Sequence, residues 1–112
     1  MSMNPELKAK WLAALRSGEY KQAKSVLNTG DSFCCLGVLC DISGMGRWVR
    51  DDRNRAFIYY EYGEAYREFA ELPIPLQKGA GIEVVEEAAL IQMNDDEDKT
   101  FTEIADWIET NL

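Results

Sequence analysis

Phe33-Cys34-Cys35-Leu36-Gly37-Val38-Leu39-Cys40-Asp41-Ile42 is the most apolar stretch of the chain, and its reading decides the fold. It is too short to cross a bilayer, which needs about 20 apolar residues in a helix. The stretch must therefore be buried in protein. Asp31 or Ser32 stands where a helix N-cap belongs, and Gly44 stands where a helix stops. The spacing predicts a helix here. Gly37 costs such a helix up to about 1 kcal/mol relative to alanine. A glycine in a buried helix points to close approach by another element.

Toward the N-terminus, Asn4-Pro5-Glu6 reads as an N-cap, a proline in the first turn and an acid near the positive helix end. Leu7, Trp11, Leu12 and Leu15 then recur at helical spacing, and Gly18 follows as the stop. A helix is expected over residues 5–17. Tyr20, Ala23, Val26 and Leu27 fit a short second helix. The same segment also fits a strand paired with Ser32-Phe33 across the turn Asn28-Thr29-Gly30-Asp31. The helix is the preferred reading of the two.

Toward the C-terminus the character changes. Trp48-Val49 and Phe57-Ile58-Tyr59-Tyr60 favour strands, and the polar residues 51–55 between them read as a turn. A β-hairpin is expected over residues 47–62, with Phe57 and Tyr59 on one face and Ile58, Tyr60 and Tyr62 on the other. Pro73 and Pro75 argue against regular structure, and Lys78-Gly79-Ala80-Gly81 reads as flexible. Residues 84–93 form a helix candidate that offers Val84, Val85, Ala88, Ala89 and Ile91 to the core. Residues 94–99 read as a solvated acidic loop. Thr100-Phe101-Thr102-Glu103 is a capping box opening a last helix, whose buried stripe is Phe101, Ile104, Ala105, Trp107 and Ile108. Together these elements predict an α+β fold. In it, three to four helices pack on a small antiparallel sheet or hairpin, within a single domain over residues 1–112.

Composition narrows the function classes. The chain of 112 residues is 46% hydrophobic and 29% charged, ordinary values for one globular domain. The net charge of −8 is uneven. Residues 1–57 carry nine basic and six acidic side chains, whereas residues 58–112 carry three and fourteen. Direct nucleic-acid binding by the acidic half is disfavoured, because phosphate contacts need Lys and Arg. The absence of histidine removes the commonest general base and zinc ligand. The start of the chain lacks the layout of a signal peptide, and three cysteines suit a reducing compartment. A cytoplasmic location, without membrane insertion, is expected.

The chain also resembles a known group. Residues 15–22 (LRSGEYKQ), the FCCLGVLCD run at 33–41, Met93-Asn94-Asp95 and residues 100–109 (TFTEIADWIE) occur in an order similar to that of a family of small bacteriophage and prophage proteins, mostly uncharacterised. The resemblance covers about half of the chain, at its two ends. It implies a bacterial cytoplasm as context. It carries no catalytic residues.

Four constellations bear on chemistry. Cys34, Cys35 and Cys40 have the wrong gaps for a zinc site and no histidine to complete it, so they read as small buried hydrophobes. Asn94, Asp96 and Asp98 alternate like the first ligands of a calcium loop. Lys99 and Ala105, however, occupy the places that require glycine and glutamate. No metal and no cofactor is expected. Asp95, Asp96, Glu97 and Asp98 form a candidate acidic surface for a protein partner. Arg47, Trp48, Arg50, Arg53, Arg55, Tyr59, Tyr60 and Tyr62 form a candidate ligand site, because aromatic rings and arginines together suit a nucleotide. The expected function is a non-enzymatic, phage-type accessory protein that inhibits a host factor, with a small nucleotide-binding sponge as the alternative. An enzyme using carboxylates and a metal is the third reading.

Overall fold

Five helices carry the structure, a computed structural model that describes residues 3–44, 46–51, 56–61, 64–65, 72 and 74–112. They are α1 (Pro5–Arg16), α2 (Cys35–Ser43), α3 (Ile74–Ala80), α4 (Val84–Asp95) and α5 (Phe101–Asn111). Between α2 and α3 a small antiparallel ribbon runs as β1 (Gly46–Asp51), β2 (Ala56–Glu61) and β3 (Glu64–Ala65), with Trp48 opposite Tyr59 and Arg47 opposite Tyr60. Within these strands only Gly46 and Trp48 have described side chains.

The expected α+β layering is corrected by where the core lies. The protein is a mostly helical small globule. Among the described residues, the buried apolar side chains come from helices and the loops beside them, with Trp48 of β1 packed against them. The helices pack on one another: α1 on α2 and α5, and α4 on α2 and α5. An apolar stripe on a helix is satisfied as well by another helix as by a sheet, and here helices supply the partners. Trp11 of α1 illustrates this. It is fully buried and donates its indole N–H to the Cys35 carbonyl at 2.9 Å.

The apolar run forms α2 with every residue from Cys35 to Cys40 buried. Its cap is Cys34, whose sulfur accepts the Gly37 N–H, rather than Asp31 or Ser32. Gly44 ends it in the left-handed region at φ 67°. Gly37 faces the backbone of Leu27 so closely that a Cβ there would lie 1.7 Å from the Leu27 carbonyl oxygen. The close approach expected from this glycine is therefore present, and a loop makes it.

That loop, residues 19–34, contains no helix. Phe33 receives and donates backbone hydrogen bonds with Lys21 and Ala23, and it also bridges to Asn28. Ser25 adopts φ 67° and gives its N–H to Asp95 at 2.9 Å. The short-helix reading fails because these backbone groups are spent on Phe33 and on α4. Two further corrections concern the second half. Residues 74–80 form a helix despite Pro75, since a proline in the first turn lacks only an N–H that needs no intrahelical partner. In addition, α4 runs on to Asp95, so Asn94 is a buried helical residue and not part of a solvated loop.

The caps at both ends follow the sequence. Asn4 Oδ1 accepts the N–H groups of Glu6 and Leu7, each at 3.0 Å. Thr100 and Glu103 exchange their capping-box bonds at 3.0 and 3.2 Å. That bonding holds the Glu103 carboxyl below its usual range.

Candidate interaction site

α4 buries a stripe that sequence patterning does not reveal. The residues facing the core are Glu87, Leu90, Met93 and Asn94. Glu87, although charged, is only 7% exposed and accepts the Leu72 N–H at 2.9 Å. Asn94 is 1% exposed, and both ends of its amide are engaged. Its Oδ1 accepts from Gln22 Nε2 at 2.9 Å and from the Cys35 N–H at 3.2 Å. Its Nδ2 donates to the Ala23 carbonyl and to Asp95, each at 2.8 Å.

With polar residues turned inward, apolar ones are turned outward. Val84 and Val85 are 70% and 72% exposed, which corrects their assignment to the core. Two clefts flank them. One, of about 290 Å³, runs between α4 and α5 and is lined by Val85, Glu86, Ala89, Trp107 and Asn111. The other, of about 100 Å³, is lined by Val84, Glu87, Ala88 and Ile91. The result is an apolar ridge with a hollow on each side. It stands on a helix that Glu87, Leu90, Met93 and Asn94 anchor to the core.

The acidic candidate surface is largely bound to its own chain. Asp95 holds Ser25 and Asn94, Glu97 accepts from Gln92 at 2.9 Å, and Asp98 pairs with Lys24. Asp96 is exposed. A cleft of about 200 Å³ beside them is lined by Gln22, Lys24, Asp98 and Lys99, so its charges are mixed. Among the described residues, no group of three Cys, Asp or Glu side chains stands together to hold a metal ion.

Of the Arg and aromatic candidates, Arg53, Arg55 and Tyr62 lie outside the described residues, as do the side chains of Arg47, Arg50, Tyr59 and Tyr60. Trp48 is described. Its indole N–H donates to Asp41 Oδ1 at 3.0 Å, and Tyr20 donates to Asp41 Oδ2 at 2.6 Å. Phe33 packs edge-on between the two rings, with centroids 5.2 Å from Tyr20 and 5.9 Å from Trp48. Partial burial and the Asp41 bond together push the Tyr20 hydroxyl up to about 12. Here the aromatics lock β1 against α2 and the 19–34 loop.

A family model matches residues 3–112, nearly the whole chain. The chain belongs to the DUF8296 family, a domain of unknown function. No curated protein and no solved structure matches it. Two further observations on this DUF8296 chain concern its thiols and its helix lengths. All three cysteines are buried and unbridged. Burial raises the Cys34 thiol to about 11 and the Cys35 thiol well above its ordinary value, which suppresses the nucleophilic thiolate. Among the described residues, no helix is long and apolar enough to cross a membrane.

Proposed function

We propose that this domain is a non-enzymatic binding module that docks a partner protein on the exposed face of α4 and its groove with α5. The observation that carries the reading is Val85, 72% exposed on a helix whose opposite side is fully anchored, beside the half-buried ring of Trp107. Exposed apolar patches with an aromatic anchor and a polar rim are characteristic of interaction sites. Covering a valine side chain contributes about 1.5–3 kcal/mol, so Val84, Val85 and Trp107 together supply a meaningful share of a micromolar interaction. The likeness of FCCLGVLCD and the chain ends to phage and prophage proteins supports a bacterial host protein as that partner, and inhibition of it as the outcome.

The test is quantitative affinity capture from bacterial lysate with the wild-type chain and with V84D/V85D. A specific protein retained by the wild type and lost by the variant supports the reading. Equal recovery on both, or none on either, contradicts it.

A further inference from the structure

Resting on that reading, we infer that the segment seated in the α4–α5 groove is an amphipathic helix with basic flanks. The recognition mode follows from the walls. Both are helices, whose backbone groups are already paired, so no strand edge is offered for β-augmentation, and an apolar groove between two helices suits the helix-in-groove mode. The size of the groove fits side chains. At about 290 Å³ it lies at the lower edge of the roughly 300–1,000 Å³ of sites that enclose a whole small molecule. Ala89 lines the groove together with Val85 and Trp107, and its small side chain leaves room for a partner's knob.

The flanks follow from charge. The only charged residue lining the groove, among those described, is Glu86. Glu103 stands one turn before Trp107 on the same stripe of α5, and its carboxyl is held ionised by Thr100. The other acids of α5, Asp106 and Glu109, are turned to Arg16 of α1. Residues 58–112 as a whole carry fourteen acids against three bases. A second copy of this chain is the poorer occupant. A two-fold contact would set this acidic face against a second acidic face, with Glu86 and Glu103 contributed by both copies and no base lining the groove to offset them. A helix carrying Lys or Arg beside its apolar stripe meets both features.

The probe is a fluorescein-labelled synthetic helix of about 16 residues, long enough to be marginally helical alone. It carries Leu at i, i+4, i+7 and i+11 and Lys at the flanking positions. One control replaces each flanking Lys with Glu, and another scrambles the order. Anisotropy titrations are run against the wild type and V85D, with thermal melts of both proteins. The Lys-flanked peptide is expected to bind at least about tenfold more tightly than the Glu-flanked one, with the gap shrinking in 1 M salt as screening shortens to about 3 Å. V85D is expected to weaken it about tenfold at an unchanged melting temperature. Equal affinity for the two flanks, or an unaffected V85D, overturns the inference. If no peptide binds while capture from lysate still depends on Val84 and Val85, the basic-helix occupant is wrong and the docking face stands. If neither depends on these residues, the docking face itself is wrong.

Discussion

Asn94 of α4 accepts the backbone N–H of Cys35, 59 positions away, at 3.2 Å. Through the same side chain it binds Gln22 and the carbonyl of Ala23. One buried amide thus ties α4, the start of α2 and the 19–34 loop together. Asn94→Ala would leave the Cys35 N–H and the Ala23 carbonyl without this partner. Each such buried group costs about 1–3 kcal/mol, so a loss on the order of 3 kcal/mol is expected in urea melts. A loss below about 1 kcal/mol would show that the loop is not held this way.

Gly37 within α2 and Gly44 at its C-cap separate steric contact from backbone conformation. Gly37→Ala drives a Cβ into the Leu27 carbonyl, a backbone atom that cannot swing aside. It is expected to cost about 3 kcal/mol or more, or to prevent folding. Gly44→Ala meets nothing within 4 Å and pays only for its positive φ, about 1–2 kcal/mol. Chemical denaturation of the pair checks the order, and similar losses for the two would contradict the Leu27 contact.

The thiols give a third expectation. Cys34, Cys35 and Cys40 are buried, and desolvation holds Cys34 and Cys35 above their ordinary values. At pH 8 a disulfide reagent is expected to modify the native protein at the slow rate of unfolding and the denatured protein at once. Rapid native labelling of any of the three would show a thiol exposed.

Tyr20 sets an alkaline limit. Its folded value is raised to about 12 from 10, so its contribution is complete below pH 10 and is lost as pH rises toward 12. Tyr20→Phe is expected to cost about 1 kcal/mol at pH 7 and to remove part of the stability loss between pH 10 and 12. An unchanged alkaline limb in melts of the variant would contradict the Asp41 bond.

Much of the helical frame was legible in the sequence. Asn4-Pro5, the capping box at Thr100 and Glu103, and the stop at Gly44 act through local chemistry that a short window contains. Gly37 also signalled its close neighbour, though not that a loop would be the neighbour. The α+β class was misread because strand-favouring residues near 47–60 suggested a sheet layer, whereas among the described residues the apolar stripes are partnered mainly by other helices. The reading of α4 failed for a related reason. Its apolar residues are spread around the helix, and two of the four core-facing positions are Glu87 and Asn94. Their value depends on Leu72, Gln22, Ala23 and Cys35, all remote in sequence. Counting apolar residues therefore placed Val84 and Val85 inside, and with them the candidate docking face.

That face is tested most directly by light-driven cross-linking inside bacteria. A photoreactive phenylalanine analogue is placed at Val85 in one protein and, as the control, at exposed Lys10 of α1 in another. A discrete, reproducible adduct from position 85 and none from position 10 is the predicted result. No adduct from either, or the same adducts from both, would contradict a docking surface on α4 and α5.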